Sequence, residues 1–124
     1  MKQRILVVED EESLIMLVTI ILTAQGYEVV GARDGGTALR ELAGGRFDLV
    51  LLDVMLPDMD GFEICRKIRE EPVTSQLPVI MLTARKSRGD QSEGRQAGAD
   101  AFITKPFKGA AVVEAMRALI GLNQ

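Results

Sequence analysis

The sequence contains no histidine, and it has a single cysteine among its 124 residues. Without histidine, the chain can neither use a histidine base nor carry a phosphohistidine. One cysteine excludes an internal disulfide, which fits a reducing compartment such as the cytoplasm. Cys65 lies close in sequence to Phe62, Ile64 and Ile68, and we expect its thiol to be buried and unreactive.

Long hydrophobic runs and a basic excess are also missing. The apolar run over 5–8 is too short for a secretory signal and ends in acids, and the run over 14–22 falls short of the roughly 18 residues of a membrane span. The net charge of −3 argues against direct nucleic-acid binding, which requires a basic surface. We therefore expect a cytoplasmic protein with no membrane or nucleic-acid partner.

The sequence does contain enough apolar residues, 47% of the total, to build a hydrophobic core. Its length is typical of one domain, so we expect a single domain over 1–124 with no effector domain. Short apolar runs alternate with helical patterns along the chain. The patterns predict strands at 5–8, 27–32, 48–52, 78–82 and 101–104, and helices at 13–25, 37–43, 60–70, 89–97 and 109–120.

Five alternating strands and helices predict an α/β fold, with a parallel sheet covered by helices on both faces. In such sheets, ligands bind in a crevice at the carboxyl ends of the strands. Polar residues follow four of the five predicted strands at this edge: Glu9 and Asp10, then Asp53, Thr83 and Lys105.

Each of these polar residues also has an ordinary explanation. The acids can start a helix, Asp53 can lie in a turn, Thr83 can cap a helix and Lys105 can be a surface charge. These explanations would have to coincide at four strand ends, so a shared site is the favoured interpretation. Clustered carboxylates suit Mg²⁺, lysine binds phosphate, and a carboxylate nucleophile can form an aspartyl-phosphate.

Over essentially its whole length the chain resembles the receiver domain family of two-component response regulators. The segments that carry the resemblance are 5–10 (ILVVED), 51–57 (LLDVMLP), 60–61 (DG), 79–84 (VIMLTA), 98–100 (GAD) and 104–107 (TKPF). The resemblance implies a flavodoxin-like (βα)5 fold with strand order 2-1-3-4-5. It also implies a signalling domain that catalyses only its own phosphorylation and dephosphorylation. The phosphoryl donor would be a sensor histidine kinase or a histidine phosphotransfer protein.

The resemblance assigns roles to the residues at the strand ends. Asp53 is implied as the phosphoryl acceptor and as a Mg²⁺ ligand. Asp10 is implied as a direct ligand, Glu9 as a ligand through water, and the backbone carbonyl of Met55 as a further protein ligand. No cofactor other than Mg²⁺ is implied.

Three further roles concern the response to phosphorylation. Thr83 is implied as the switch hydroxyl and Lys105 as the phosphate-binding lysine, with a cis bond from Lys105 to Pro106. Phe102 is implied as the switch aromatic, although a plain core residue is an equally good interpretation of the sequence.

One departure from the family is the segment 86–96. It carries Ser92 and Arg95 where the family usually has apolar anchors, and it contains Gly89 and Gly94. Glycine within a helix costs about 1 kcal/mol relative to alanine. We expect this segment to be mobile until phosphorylation orders it through Thr83.

The other departure is the apolar outer surface of the first and last helices. Periodicity predicts a buried stripe in each helix, with further apolar residues beside it. The predicted stripes are Leu14, Leu17, Val18, Ile21 and Leu22, and Val112, Val113, Met116, Leu119 and Ile120; beside them lie Ile15, Met16, Ile20, Ala111, Ala115, Ala118 and Leu122. The spare residues predict a contact surface for a kinase or phosphotransfer bundle, a second copy or an effector domain. Scattered surface residues are the alternative.

Three other functions fit the sequence less well. An aspartate-nucleophile phosphatase usually needs a second acid two residues after the nucleophile, where this chain has Met55. A flavin or nucleotide binder needs a glycine-rich loop after the first strand, where the acids at 9–12 would repel phosphate. A pseudo-receiver that acts only as an interaction module would lack site residues, and none is missing here.

Overall fold

The computed structural model describes residues 2–84 and 88–121, except for the side chains of 88–91. Strands and helices alternate, and their bounds lie within two residues of those predicted. The strands are β1 (Arg4–Val8), β2 (Glu28–Ala32), β3 (Leu49–Asp53), β4 (Val79–Thr83) and β5 (Ala101–Thr104). The helices are α1 (Glu12–Ala24), α2 (Gly35–Gly44), α3 (Gly61–Glu70), α4 (Arg88–Ala97) and α5 (Gly109–Ile120).

The strands form one parallel sheet in the order β2-β1-β3-β4-β5, which confirms the predicted fold. Strand order reverses between β1 and β3, the arrangement that opens a crevice at the carboxyl ends of the strands. The register aligns Val8 with Leu52 and Asp53 with Leu82, so the central strands end nearly level. That alignment brings the residues at the strand ends to one place.

The sheet separates two hydrophobic cores because its central strands are buried on both faces. Alternate residues of β1 illustrate the division: Ile5 and Val7 face one core, and Leu6 and Val8 face the other. Helices α1 and α5 cover the first core, while α2, α3 and α4 cover the second. The first and last helices therefore share one side of the sheet.

Local signals in the sequence set the ends of several helices. Gly26 has φ of 91°, a left-handed conformation that favours glycine, and it terminates α1. The Asp34 carboxylate accepts a 2.7 Å hydrogen bond from the Thr37 backbone N–H at the start of α2. Asp60 caps α3 in the same way, through a 2.8 Å bond from the Phe62 N–H. These side chains satisfy first-turn amides that have no partner within the helix.

The predicted buried stripes of α1 and α5 are wrong at four positions, one of which is Ala115, half-buried against the core although it was placed beside the stripe. Leu17 is 50% exposed and Leu119 is also exposed, although both were assigned to the core, while Ile15 is half-buried instead of pointing outward. Ile15 is half-buried because it packs against Gly31 on the edge strand β2, where a Cβ would lie 2.9 Å from Ile15 Cγ2. The space that a side chain would fill on β2 is thus occupied by Ile15. Leu122 lies outside the described residues.

Helix α4 forms where a weak helical stretch was predicted. Ser92 and Arg95 are exposed, and among the side chains described in this helix only Gly94 and Ala97 are buried. Residues 85–87 lie outside the described part, and the mobility of the segment 86–96 stays a prediction.

Two expectations about the rest of the molecule can be compared with the structure. Cys65 is fully buried, which confirms the expected burial, and this burial raises the pKa of its thiol to about 11, which disfavours the reactive thiolate. Over the ranges that the structure describes, no helix has the length and apolar character needed to cross a membrane.

Candidate functional site

The carboxyl ends of the strands form an open cleft of about 480 Å³. Asp53 and Thr83 are the last residues of β3 and β4, whereas the sequence predicted them just beyond the strands. Both are buried, Asp53 with only 5% of its surface exposed. The lining residues of the cleft are Glu9, Asp10, Glu11, Asp53, Met55, Ala84 and Lys105.

Three carboxylates meet in this cleft, as the sequence predicted. One oxygen from each of Glu9, Asp10 and Asp53 lies within 4.8 Å of the other two. Glu9 and Asp53 are buried and Asp10 is exposed, so the cluster is open to solvent on the Asp10 side. The register of β1 with β3 explains why Glu9 and Asp10 converge with Asp53, although they are distant from it in sequence.

Lys105 lies between the two buried carboxylates. Its Nζ is 2.5 Å from Glu9 Oε1 and 3.3 Å from Asp53 Oδ2. Burial raises the pKa of the Glu9 carboxyl, and the hydrogen bond from Lys105 only partly opposes this effect. Burial alone would lower the pKa of the Lys105 ammonium, but its contacts with Glu9 and Asp53 raise it overall. The lysine therefore stays charged and balances part of the negative charge.

The loop after β3 folds back over the acceptor position. The Met55 N–H donates a 3.3 Å hydrogen bond to Asp53 Oδ1, and Met55 pairs with Asp60 in an isolated antiparallel bridge. The Gly61 N–H donates to the Val54 carbonyl at 2.7 Å. A Cβ at Gly61 would lie 2.8 Å from Val54 Cα, so this close return of the chain requires glycine. The loop thereby keeps the backbone of Met55 beside Asp53.

The residues of the cleft fit a hard divalent cation such as Mg²⁺. All three side-chain donors are carboxylates, and within the part of the chain that the structure describes they outnumber the lysine that contacts them, Lys105. Two of these carboxylates are buried, where unbalanced negative charge is costly. Oxygen donors with room for water on one side match the coordination that Mg²⁺ prefers.

Phe102 and Thr83 lie on the same face of the sheet. Phe102 is in register with Met81, two residues before Thr83, and side chains two apart on a strand share a face. The ring is half-buried against the core beneath α3 and α4, with the Arg95 guanidinium 5.9 Å from its centre. Lys105 is joined to Pro106 by a cis peptide bond, as the resemblance implied, and its N–H donates to the Thr83 carbonyl at 2.9 Å.

One interaction of the loop after β3 was not predicted from the sequence. Asp58, in the loop after β3, accepts hydrogen bonds from the backbone N–H groups of Gly35 and Gly36 at 2.8 and 2.9 Å. These partners are more than twenty positions away in sequence. The only signal was the acid itself, three residues after Met55.

Comparison with known proteins gives a consistent match. Residues 5–117 match the family described as the response regulator receiver domain. The chain is 45% identical over 119 residues to the response regulator PleD of Caulobacter vibrioides, which covers 96% of this chain and 26% of PleD. The chain thus spans about a quarter of that curated relative.

Two solved structures resemble the whole fold. Chemotaxis protein CheY4 of Vibrio cholerae superimposes with a TM-score of 0.92 at 32% identity, covering 96% of this chain and 99% of CheY4. The receiver domain of sensor histidine kinase PA1611 from Pseudomonas aeruginosa PAO1 gives 0.89 at 35% identity, covering 98% of this chain and 99% of that one. The PA1611 structure has a magnesium ion coordinated in its active-site cleft.

Proposed function

The chain belongs to the response regulator receiver domain family, and on that basis we propose that Asp53 accepts a phosphoryl group from a phosphohistidine. The observation that carries the proposal is the position of the Asp53 carboxylate, at the end of the central strand β3 and in the same cleft as Glu9, Asp10 and Lys105. Because residues 1–124 contain no histidine, the phosphohistidine lies outside this segment.

In the transfer, a carboxylate oxygen of Asp53 attacks the phosphorus of the donor. The new P–O bond makes an acyl phosphate, the P–N bond to the donor breaks, and the imidazole leaves with its nitrogen lone pair. Dephosphorylation is attack by water on the same phosphorus, which returns inorganic phosphate and the free Asp53 carboxylate. We propose that these two steps on its own side chain are the whole chemistry of the domain.

Receiver domains generally bind Mg²⁺ at an acidic site, and this chain has such a cluster. We propose Asp10, Asp53 and the Met55 carbonyl as direct ligands, with Glu9 acting through water. When bound, Mg²⁺ would supply positive charge against the acceptor and phosphoryl oxygens. The magnesium in the PA1611 receiver domain supports this assignment.

Lys105 and Thr83 would respond to the new phosphoryl group. The ammonium of Lys105 can exchange its contact with Asp53 for one with a phosphoryl oxygen, and the Thr83 hydroxyl can donate to another. Movement of Thr83 would then be transmitted to Phe102, which shares its face of the sheet. This sequence of contacts is the proposed switch to a partner or output domain.

Receiver domains interact with histidine kinases or phosphotransfer proteins and with output domains. We propose that the outer face of α1 contacts the phosphoryl donor through Met16, Leu17 and Ile20, all of which are exposed. Helix α1 begins at Glu12, directly after the cleft residues Glu9 to Glu11. A donor that reaches Asp53 must therefore cover the start of this helix. We further propose that the domain acts in the cytoplasm and makes no direct contact with nucleic acid or membrane.

The aspartate-nucleophile phosphatase and the pseudo-receiver are not favoured as alternatives. The position two residues after Asp53 is Met55, whose side chain is largely exposed and cannot serve as a general acid. All the implied site residues are present, which does not favour a pseudo-receiver.

An NMR titration with MgCl₂, followed by beryllofluoride as a phosphoryl mimic, tests the proposed function. The backbone signals of Asp53 and Met55 should shift with Mg²⁺ alone, and those of Thr83, Phe102 and Lys105 should shift only after beryllofluoride is added. A pseudo-receiver would show neither change, and the proposal would then be wrong.

A further inference from the structure

The carboxylate of Asp58 bridges two parts of the chain that are distant in sequence. Its Oδ1 accepts from the Gly35 N–H at 2.8 Å and its Oδ2 from the Gly36 N–H at 2.9 Å. These are amides of the first turn of α2, which have no partner inside the helix. The two bonds lower the pKa of the Asp58 carboxyl, so it is ionised and accepts with full charge.

A second contact of the same loop lies beside the first. A Cβ at Gly35 would lie 2.6 Å from the sulfur of Met59, so the Met59 side chain occupies the space that a residue other than glycine would fill. Asp58 and Met59 thus hold the start of α2 through charge and packing together.

The inner side of the loop is held separately. Met55 is bridged to Asp60, and the Gly61 N–H donates to the Val54 carbonyl. The segment between Met55 and Asp60 is therefore attached to α2 on one side and to the end of β3 on the other. Asp58 makes its part of the attachment to α2 through charge-assisted hydrogen bonds. Such bonds are roughly twice as strong as hydrogen bonds between neutral groups.

We propose that Asp58 is a positioning residue: by holding the start of α2, its carboxylate fixes the loop that presents the Met55 carbonyl and thereby sets the affinity for Mg²⁺. The inference rests on the proposed function of the cleft. Mg²⁺ tolerates little departure from octahedral geometry, so a loosened backbone ligand weakens binding. Groups that orient metal ligands typically contribute about 10- to 100-fold in affinity, and we expect about tenfold here.

The chain supplies a matched control on the same helix. Asp34 also caps α2, through its bond from the Thr37 N–H, but it precedes the helix and does not belong to the loop after β3. Asp58→Ala and Asp34→Ala each remove one carboxylate from the start of α2, so both lower stability. Only Asp58→Ala removes the hydrogen bonds that join α2 to the loop after β3. Asp58→Asn keeps one amide oxygen as an acceptor and should restore part of the affinity.

The experiment is a MgCl₂ titration followed by the backbone NMR signal of Met55, with hydrogen exchange of the Gly35 and Gly36 amides as a second readout. Asp58→Ala should weaken Mg²⁺ about tenfold and speed both exchange rates, with Asp58→Asn between Asp58→Ala and the native chain. Asp34→Ala should leave the Mg²⁺ affinity unchanged.

Two results would overturn the inference: an unchanged Mg²⁺ affinity in Asp58→Ala, or an equal loss in Asp34→Ala. Asp10→Ala separates this failure from failure of the proposed function. If the native chain binds Mg²⁺ and requires Asp10, but is indifferent to Asp58, only the role of Asp58 is wrong. If Asp10→Ala binds as the native chain does, the proposed metal site is wrong and the inference fails with it.

Discussion

The ring of Phe102 packs against Gly94 of α4 so closely that a Cβ on Gly94 would lie 2.5 Å from two ring carbons. The same Cβ would lie 3.2 Å from the Phe62 ring, so the space is closed on two sides. The glycine that weakens α4 in isolation is therefore required by the position of Phe102. The contact links the proposed switch residue on β5 directly to α4.

Gly94→Ala should destabilise the fold or displace the ring. Overpacking costs about 1–3 kcal/mol, which exceeds the roughly 1 kcal/mol that alanine gains over glycine in a helix. Gly44→Ala is the matched control, because Gly44 ends α2 and a Cβ there meets nothing within 4 Å. Urea unfolding should show Gly94→Ala less stable than the native chain and Gly44→Ala at least as stable. Equal stability of the two variants would contradict the close packing of Gly94 against the Phe102 ring.

Lys105→Ala should separate metal binding from the response. The substitution removes the ammonium that contacts Glu9 and Asp53, but it leaves the carboxylates of the acidic cluster in place. The Mg²⁺ affinity should therefore remain nearly intact. The shifts of Thr83 and Phe102 on addition of beryllofluoride should be lost, as followed by NMR. Lys108→Ala, an exposed lysine outside the cleft, should behave as the native chain does. A normal response in Lys105→Ala would remove the lysine from the proposed switch.

The pH dependence of stability should contain a contribution from Asp58. Its folded pKa is lowered from the ordinary 3.8 by the bonds from Gly35 and Gly36. The ionised carboxylate therefore stabilises the fold above that ordinary value, and the contribution disappears as the pH falls through the lowered folded pKa. Urea unfolding over a series of acidic pH values should show a steeper loss for the native chain than for Asp58→Asn. Parallel curves would show that the two bonds do not persist in solution.

Substitutions on the outer face of α1 should weaken phosphotransfer from the donor protein and leave the phosphorylation of Asp53 by a small molecule unchanged. Met16 and Ile20 are 58% and 66% exposed and one helical turn apart, whereas Ile15 is half-buried and unsuitable for substitution. Met16→Glu with Ile20→Lys should leave labelling by acetyl phosphate unchanged and weaken phosphotransfer from the cognate kinase about tenfold or more, the loss typical of central contact residues. Val73→Lys is the control, because Val73 is also apolar and 95% exposed but lies outside α1. It should change neither the labelling by acetyl phosphate nor the phosphotransfer. Unaltered phosphotransfer in the α1 variant would exclude this face as the contact surface.

The fold and the residues of the cleft could be predicted because their signals are local. Strands such as 49–53 are continuously apolar, as strands covered on both faces must be, and polar residues stand at their ends. The predicted ends of β3 and β4 were one residue too early, because the pairing between strands continues through Asp53 and Thr83. Both residues are polar, so the apolar pattern of the sequence ends before the strands do.

The remaining differences arise from contacts between distant residues. Helix α1 is apolar around most of its circumference, so periodicity alone could not choose between Ile15 and Leu17 as the buried residue. The choice depends on the missing side chain of Gly31 on the neighbouring strand. The bonds from Gly35 and Gly36 to Asp58 likewise depend on how the loop after β3 meets α2, which no local pattern contains.

Phosphoryl labelling of Asp53 is the most direct test of the proposed function. Incubation with acetyl phosphate and Mg²⁺ should add one phosphoryl group, detected by intact-mass spectrometry, removed by hydroxylamine as an acyl phosphate is, and absent when Mg²⁺ is chelated. Asp34→Ala should label as the native chain does, and Asp53→Asn should not label at all. Labelling of Asp53→Asn to the same extent as the native chain would contradict the assignment of Asp53 as the sole acceptor.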